Sequence, residues 1–138
     1  MQSSRILIDT GPIVAVLCRS DEHHAECSRV LSQFAAPLLT CWPVLTEAAW
    51  LLRRNPIQVR RLLSHCGGYP IEILPLTAQD LPGIAAVLEK YEDLGVQLAD
   101  AALLHLAGRE QLQDVFTLDR RHFSLFRLAS GKPLTLLP

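Results

Sequence analysis

Four acidic side chains stand in stretches that are otherwise apolar. Asp9 follows Ile6-Leu7-Ile8, and Asp119 follows Val115-Phe116-Thr117-Leu118. Glu47 has Val44, Trp50 and Leu51 at i−3, i+3 and i+4, and Asp100 has Leu103, Leu104 and Ala107 at i+3, i+4 and i+7. On a helix those spacings share one side, so both acids occupy slots where core residues are expected. A carboxylate is rarely buried unless it is paired or binds a metal. Like charges held close raise one another's pKa unless a cation neutralises them. If the four converge, the chemistry they point to is that of a metal site.

Each acid also has a plainer reading. Asp9, in Asp-Thr-Gly-Pro, has the form of an Asx-turn residue closing a strand. Asp100 fits an N-cap or first-turn acid favoured by the helix dipole. Glu47 has Arg53 and Arg54 within reach as ion-pair partners at a helix rim, and Asp119 stands beside Arg120 and Arg121 like a surface turn acid. Four such coincidences at one end of one sheet are harder to accept than any one of them.

The elements that must position these acids are legible as alternating strands and helices. Residues 5–8 are a short apolar run ended by a turn signal, the pattern of a strand buried on both faces. The next signal is Ser20-Asp21-Glu22, an N-cap with acids in the first turn, and Cys27, Val30, Leu31 and Phe34 then form one apolar helical face. Residues 37–40 read as a second strand. Pro43 suits the first turn of a helix running to about Arg54, where Asn55-Pro56 breaks it. A helical piece near 57–65 ends at Gly67-Gly68, and 71–76 reads as a third strand. Thr77-Ala78-Gln79-Asp80 is a capping box, followed by Ile84, Val87, Leu88 and Tyr91 on one helical face. After Gly95, Ala99, Ala102, Leu103 and Leu106 mark another helix, and 115–118 and 134–137 read as the last two strands. This alternation predicts an α/β fold with a central, mainly parallel sheet of about five strands flanked by helices, as one domain over 1–138. Ligands in such sheets bind at the carboxyl ends of strands, where Asp9 and Asp119 are expected.

Composition narrows the function classes. The formal net charge of −1 gives no overall basic field, which argues against tight non-specific nucleic-acid binding. Setting the four acids aside leaves the remainder net positive. The four cysteines show no C-x-x-C pair, no secretory signal precedes them, and the first long apolar stretch is broken by Asp9, well short of the roughly 20 residues of a membrane helix. A soluble, cytoplasmic chain with reduced thiols is the expectation.

Four segments, LIDTGPIVAVL (7–17), LTEAAWLL (45–52), KYEDLGVQLADAALLHLA (90–107) and FTLDRRHF (116–123), resemble the PIN-domain ribonucleases, most of all the VapC-like toxin branch of bacterial toxin–antitoxin pairs. The resemblance spans residues 5–137 and carries all four acids in order. It implies a three-layer PIN fold in which Asp9, Glu47, Asp100 and Asp119 are the catalytic acids and bind one or two Mg²⁺ or Mn²⁺ ions. It also implies in-line hydrolysis of RNA leaving a 5′-phosphate and a 3′-hydroxyl. Oxygen-only ligands suit these ions, which keep several waters and bind phosphate oxygens. No covalent nucleophile is required, and Ser4, Ser20, Ser64 and the five histidines form no triad spacing.

Thr10, Thr117 and Asp93 match positions beside the metal acids in the same resemblance. Thr117 is expected to share a strand face with Asp119. Arg120 and Arg121 are the foremost candidates for phosphate contacts because they follow a metal acid, ahead of Arg53, Arg54, Arg60, Arg61 and Lys132. His105 and His122 read as structural, and His23 and His24 as residues of an exposed first turn. Relatives of the toxin type form homodimers and are held inactive by a small antitoxin protein, so RNA, an antitoxin and a second copy are the expected partners. Two competing readings stay open: a non-catalytic PIN-like module that holds RNA or protein, and a phospho-receiver domain. The second explains Asp9 but not Glu47 or the Asp100-Ala101-Ala102-Leu103-Leu104 segment.

Overall fold

The computed structural model of the chain describes residues 5–138; Ser4, at the edge of the expected domain, lies outside the described residues. Five three-residue strands build one sheet: β1 (Ile6–Ile8), β2 (Leu38–Thr40), β3 (Ile71–Ile73), β4 (Asp114–Phe116) and β5 (Thr135–Leu137). Their order is β3-β2-β1-β4-β5, and every pairing is parallel. Parallel neighbours need crossover connections, which lay helices on the sheet faces and bury the strands between them. Accordingly all three residues of β1 and of β2 are buried.

Among the described residues seven helices make those connections: α1 (Thr10–Leu17), α2 (His24–Leu31), α3 (Trp42–Leu51), α4 (Pro56–His65), α5 (Leu81–Lys90), α6 (Leu98–Glu110) and α7 (Arg120–Phe123). Helix α1 was not legible in the sequence. Its residues TGPIVAVL are almost all apolar, so no polar face sets a helical period, and Gly11-Pro12 reads as a turn. Pro12 is tolerated because first-turn amides lack intrahelical partners anyway. The apolar circumference suits a helix that packs against α2, α3 and α4.

Among the boundaries that differ from expectation, two have a clear local cause. Helix α2 starts at His24 rather than after Ser20, because the Asp21 carboxylate accepts the His23 amide at 2.8 Å and closes a turn first; Phe34 lies beyond its end. Strand β4 stops at Phe116, so Asp119 does not end a strand and Thr117 does not pair with it across a strand face. The Thr117 hydroxyl accepts the Asp119 amide at 3.0 Å, turning the chain out of the sheet, and Asp119 becomes the N-cap of α7.

The capping box is present: the Asp80 carboxylate accepts the Thr77 amide at 2.8 Å and the Thr77 hydroxyl accepts that of Gln79 at 3.2 Å. Asp80 is buried, and it also receives His105 Nε2 at 2.8 Å and Arg109 at 3.1 Å, tying the start of α5 to α6. These bonds hold its carboxyl well below the usual range. His105 thus has a structural role, and the absence of a Cβ at Gly83 leaves room for its ring.

Candidate active site

The carboxyl ends of β1, β2 and β4 open into one cleft of about 400 Å³. Asp9 leaves β1 directly, with its amide bonded to the Phe116 carbonyl of β4 at 2.9 Å. Glu47 comes from the second turn of α3, which follows β2, and Asp100 from the first turn of α6. Asp119 comes from the turn after β4. Because β1 lies between β2 and β4, their outgoing loops meet there, and all four acids line the cleft.

Asp9 is only 5% exposed. Its Oδ2 accepts the Thr117 hydroxyl at 2.8 Å, whereas its Oδ1 is buried with no hydrogen-bond partner among the described residues. It occupies the N-cap position of α1 yet makes no side-chain capping bond, so local turn chemistry does not account for it. Burial pushes its carboxyl up to about 7; the nearby Thr10 amide and the Thr117 hydroxyl bond oppose this, and the charges of Asp100 and Glu47 add to it. Asp100 is raised mainly by burial, with Asp119 and Glu47 contributing.

Glu47 accepts the Thr10 hydroxyl at 2.6 Å. The ion pair that might have explained it on structural grounds is not made: Arg53 lies over the Trp50 ring at 3.8 Å and donates to the Trp50 carbonyl. Thr10 and Thr117 therefore each hold one of the cleft acids.

Asp119 is clasped by His122. Its Oδ1 accepts the His122 amide at 3.1 Å and its Oδ2 pairs with His122 Nδ1 at 2.9 Å. The other ring nitrogen, Nε2, contacts the Leu94 carbonyl at 3.0 Å. Both partners are acceptors, and the bond to Asp119 raises the pKa of the imidazole. His122 lines the cleft, which its sequence context did not disclose beyond a spacing of three from Asp119. Gln97 and Gly95 line it as well, the latter closing the turn after Glu92–Leu94 with φ +67°.

Three expected site residues lie elsewhere. Asp93 is exposed on the Glu92–Leu94 turn and is not among the cleft-lining residues. Arg120 and Arg121 are exposed on α7, outside the lining, and Arg120 donates to the Pro138 carbonyl at 2.6 Å.

The donor set fits a divalent cation. A buried carboxylate oxygen without a partner among the described residues, in a cleft also lined by three further acids and on a carboxyl raised by burial and by the charges of Asp100 and Glu47, carries a desolvation cost that a cation would offset. Ligand atoms of Asp100, Asp119 and His122 also lie within 4.8 Å of one another.

Comparison with known proteins places this arrangement in context. A sequence profile described as the PIN domain matches residues 6–128. The chain is 30% identical over 135 residues to Ribonuclease VapC26 of Mycobacterium tuberculosis, covering 96% of this chain and 100% of the relative. The crystal structure of the Mycobacterium tuberculosis toxin VapC20, described as cleaving the Sarcin-Ricin loop, superposes with a TM-score of 0.77 at 17% identity, over 83% of this chain and 90% of that one. VapBC2 from Rickettsia felis, solved bound to a DNA fragment from its promoter, superposes with a TM-score of 0.62 at 15% identity, over 96% of each chain. At those identities the structural matches speak for the fold.

Proposed function

The chain belongs to the PIN-domain family, and on that premise we propose that it is a metal-dependent endoribonuclease acting as the toxin of a toxin–antitoxin pair. The observation that carries the reading is that Asp9, Glu47, Asp100 and Asp119 all line one cleft, with Asp9 Oδ1 buried and unpartnered among the described residues. The likeness to a ribonuclease over nearly the whole chain supports it.

The four acids would hold one or two Mg²⁺ or Mn²⁺ ions. Bound there, the metal supplies Lewis-acid polarisation of a phosphate oxygen and a water of lowered pKa for in-line attack. The chain's own contribution is orientation. Thr117 fixes Asp9 Oδ2 and leaves Oδ1 without a partner among the described residues. Thr10 fixes Glu47, and His122 fixes Asp119. Arg121, exposed two residues beyond Asp119, would meet substrate phosphate at the rim, with Arg120 beside it.

An antitoxin and a second copy are the proposed protein partners. Trp42, Trp50 and Leu98 are 59%, 62% and 56% exposed beside the cleft, an apolar face of the kind a homodimer buries. Among the described residues no helix is long and apolar enough to cross a membrane, and the four cysteines are free thiols. A cytoplasmic setting and one PIN unit, built on the single five-stranded sheet, complete the proposal.

The test is incubation of total cellular RNA with purified, antitoxin-free protein in Mg²⁺ or Mn²⁺, in EDTA, and with Asp9→Asn. Discrete fragments that need both metal and Asp9 are expected. An inert wild-type protein would overturn the nuclease and leave a module that binds without cutting.

A further inference from the structure

His122 has a geometry beyond what a clasp on Asp119 requires. Its Nε2–H points at the Leu94 carbonyl, 3.0 Å away, which fixes the ring plane from outside the cleft. Metal-binding histidines nearly always donate their second ring nitrogen to a carbonyl or carboxylate in this way, and that bond sets which nitrogen faces the ion. Here the nitrogen left facing inward is Nδ1, and it faces acids: a ligand atom from each of His122, Asp100 and Asp119 lies within 4.8 Å of the other two.

The Nδ1 to Asp119 Oδ2 separation is 2.9 Å. Adjacent vertices of an octahedral shell with bonds of ~2.1 Å lie about 3 Å apart, so the pair is already spaced as neighbouring ligands. The same cleft holds the buried, unpartnered Oδ1 of Asp9, an independent sign that the protein groups alone do not complete the site.

We propose that His122 Nδ1 is a ligand of the same ion as Asp100 and Asp119, making the centre a mixed nitrogen–oxygen site that prefers Mn²⁺ to Mg²⁺. The inference rests on the metal-dependent reading above and adds a ligand to it. On metal binding the Nδ1 proton leaves to solvent while Nε2 keeps its proton on Leu94. Imidazole favours transition ions, whereas Mg²⁺ takes oxygen donors almost exclusively, so the histidine biases the choice of ion.

The test uses the full chain labelled with ¹⁵N-histidine and one equivalent of Zn²⁺ as a diamagnetic probe, with the His122 resonances identified by their loss in His122→Ala. Nδ1 of His122 is expected to move to the metal-coordinated position while Nε2 remains protonated. In parallel calorimetry His122→Ala should weaken Mn²⁺ binding about tenfold or more, and change Mg²⁺ binding by no more than about threefold. The spectrum of the wild-type protein answers the question even if the variant folds poorly. A protein that binds Mn²⁺ through Asp9, shown by loss of binding in Asp9→Asn, but keeps a protonated Nδ1 when loaded overturns the ligand role and leaves the nuclease reading standing. Absence of Mn²⁺, Mg²⁺ and Zn²⁺ binding by the wild type overturns both.

Discussion

Replacing Asp9 by asparagine should stabilise the metal-free protein at alkaline pH, although it removes a residue at the centre of the cleft. The Asp9 carboxyl rises from an ordinary value of 3.8 to about 7 in the fold, chiefly through burial. A carboxyl raised in this way favours the native state fully below 3.8, and that contribution is lost progressively as pH climbs to about 7. At roughly 1.4 kcal/mol per pH unit, ionising Asp9 costs the metal-free fold about 4 kcal/mol at pH 8.5. An amide of the same shape can keep the Thr117 hydroxyl bond through its oxygen and carries no charge. In EDTA, Asp9→Asn should therefore exceed the wild type by a margin approaching about 4 kcal/mol at pH 8.5, shrinking to less than about 1 kcal/mol at pH 4. Urea unfolding at the two pH values measures it. Mn²⁺ should close most of that gap: the wild type gains about 2.7 kcal/mol at a hundredfold excess over Kd, and the variant gains little. A variant less stable than wild type at pH 8.5 in EDTA, or a difference independent of pH, would refute the assignment of Asp9 as a buried charge awaiting a cation.

The same displacement predicts that Mn²⁺ affinity falls as pH drops below about 7, because metal must compete with a proton on Asp9; calorimetry between pH 6 and 8 checks this, and a flat profile would contradict it. Thr117→Val deletes the donor to Asp9 Oδ2, and should cost about 1–3 kcal/mol at neutral pH while weakening metal binding, as read by denaturation and calorimetry. Gly83→Ala should destabilise by about 1–3 kcal/mol in thermal or urea unfolding despite alanine's better helix propensity, because the new methyl meets the His105 ring that Asp80 holds in place.

The acids stood out in the sequence because charge interrupts apolar periodicity, a signal carried by each segment alone. Their meeting point is different in kind: it depends on β1 lying between β2 and β4, a matter of strand order that local pattern does not encode. Helix α1 escaped notice for the opposite reason, since an apolar stretch has no polar face to mark its period. Strand β4 ends two residues before the expected Leu118 because the Thr117 hydroxyl turns the chain out of the sheet by capturing the Asp119 amide, and side-chain competition of this sort leaves hydrophobicity unchanged. His122 was taken as structural because its orientation depends on the Leu94 carbonyl, 28 residues away. Arg120 and Arg121 stand out only by adjacency to Asp119, and α7 leaves both exposed outside the cleft lining.

The most direct measurement is the anomalous difference map of crystals soaked in Mn²⁺. The expected result is a peak in the cleft at coordination distance from Asp9 Oδ1, shared with Asp100 and Asp119. A protein that binds Mn²⁺ only outside the cleft, or shows no peak at millimolar Mn²⁺, would contradict the claim that these acids converge to hold a metal.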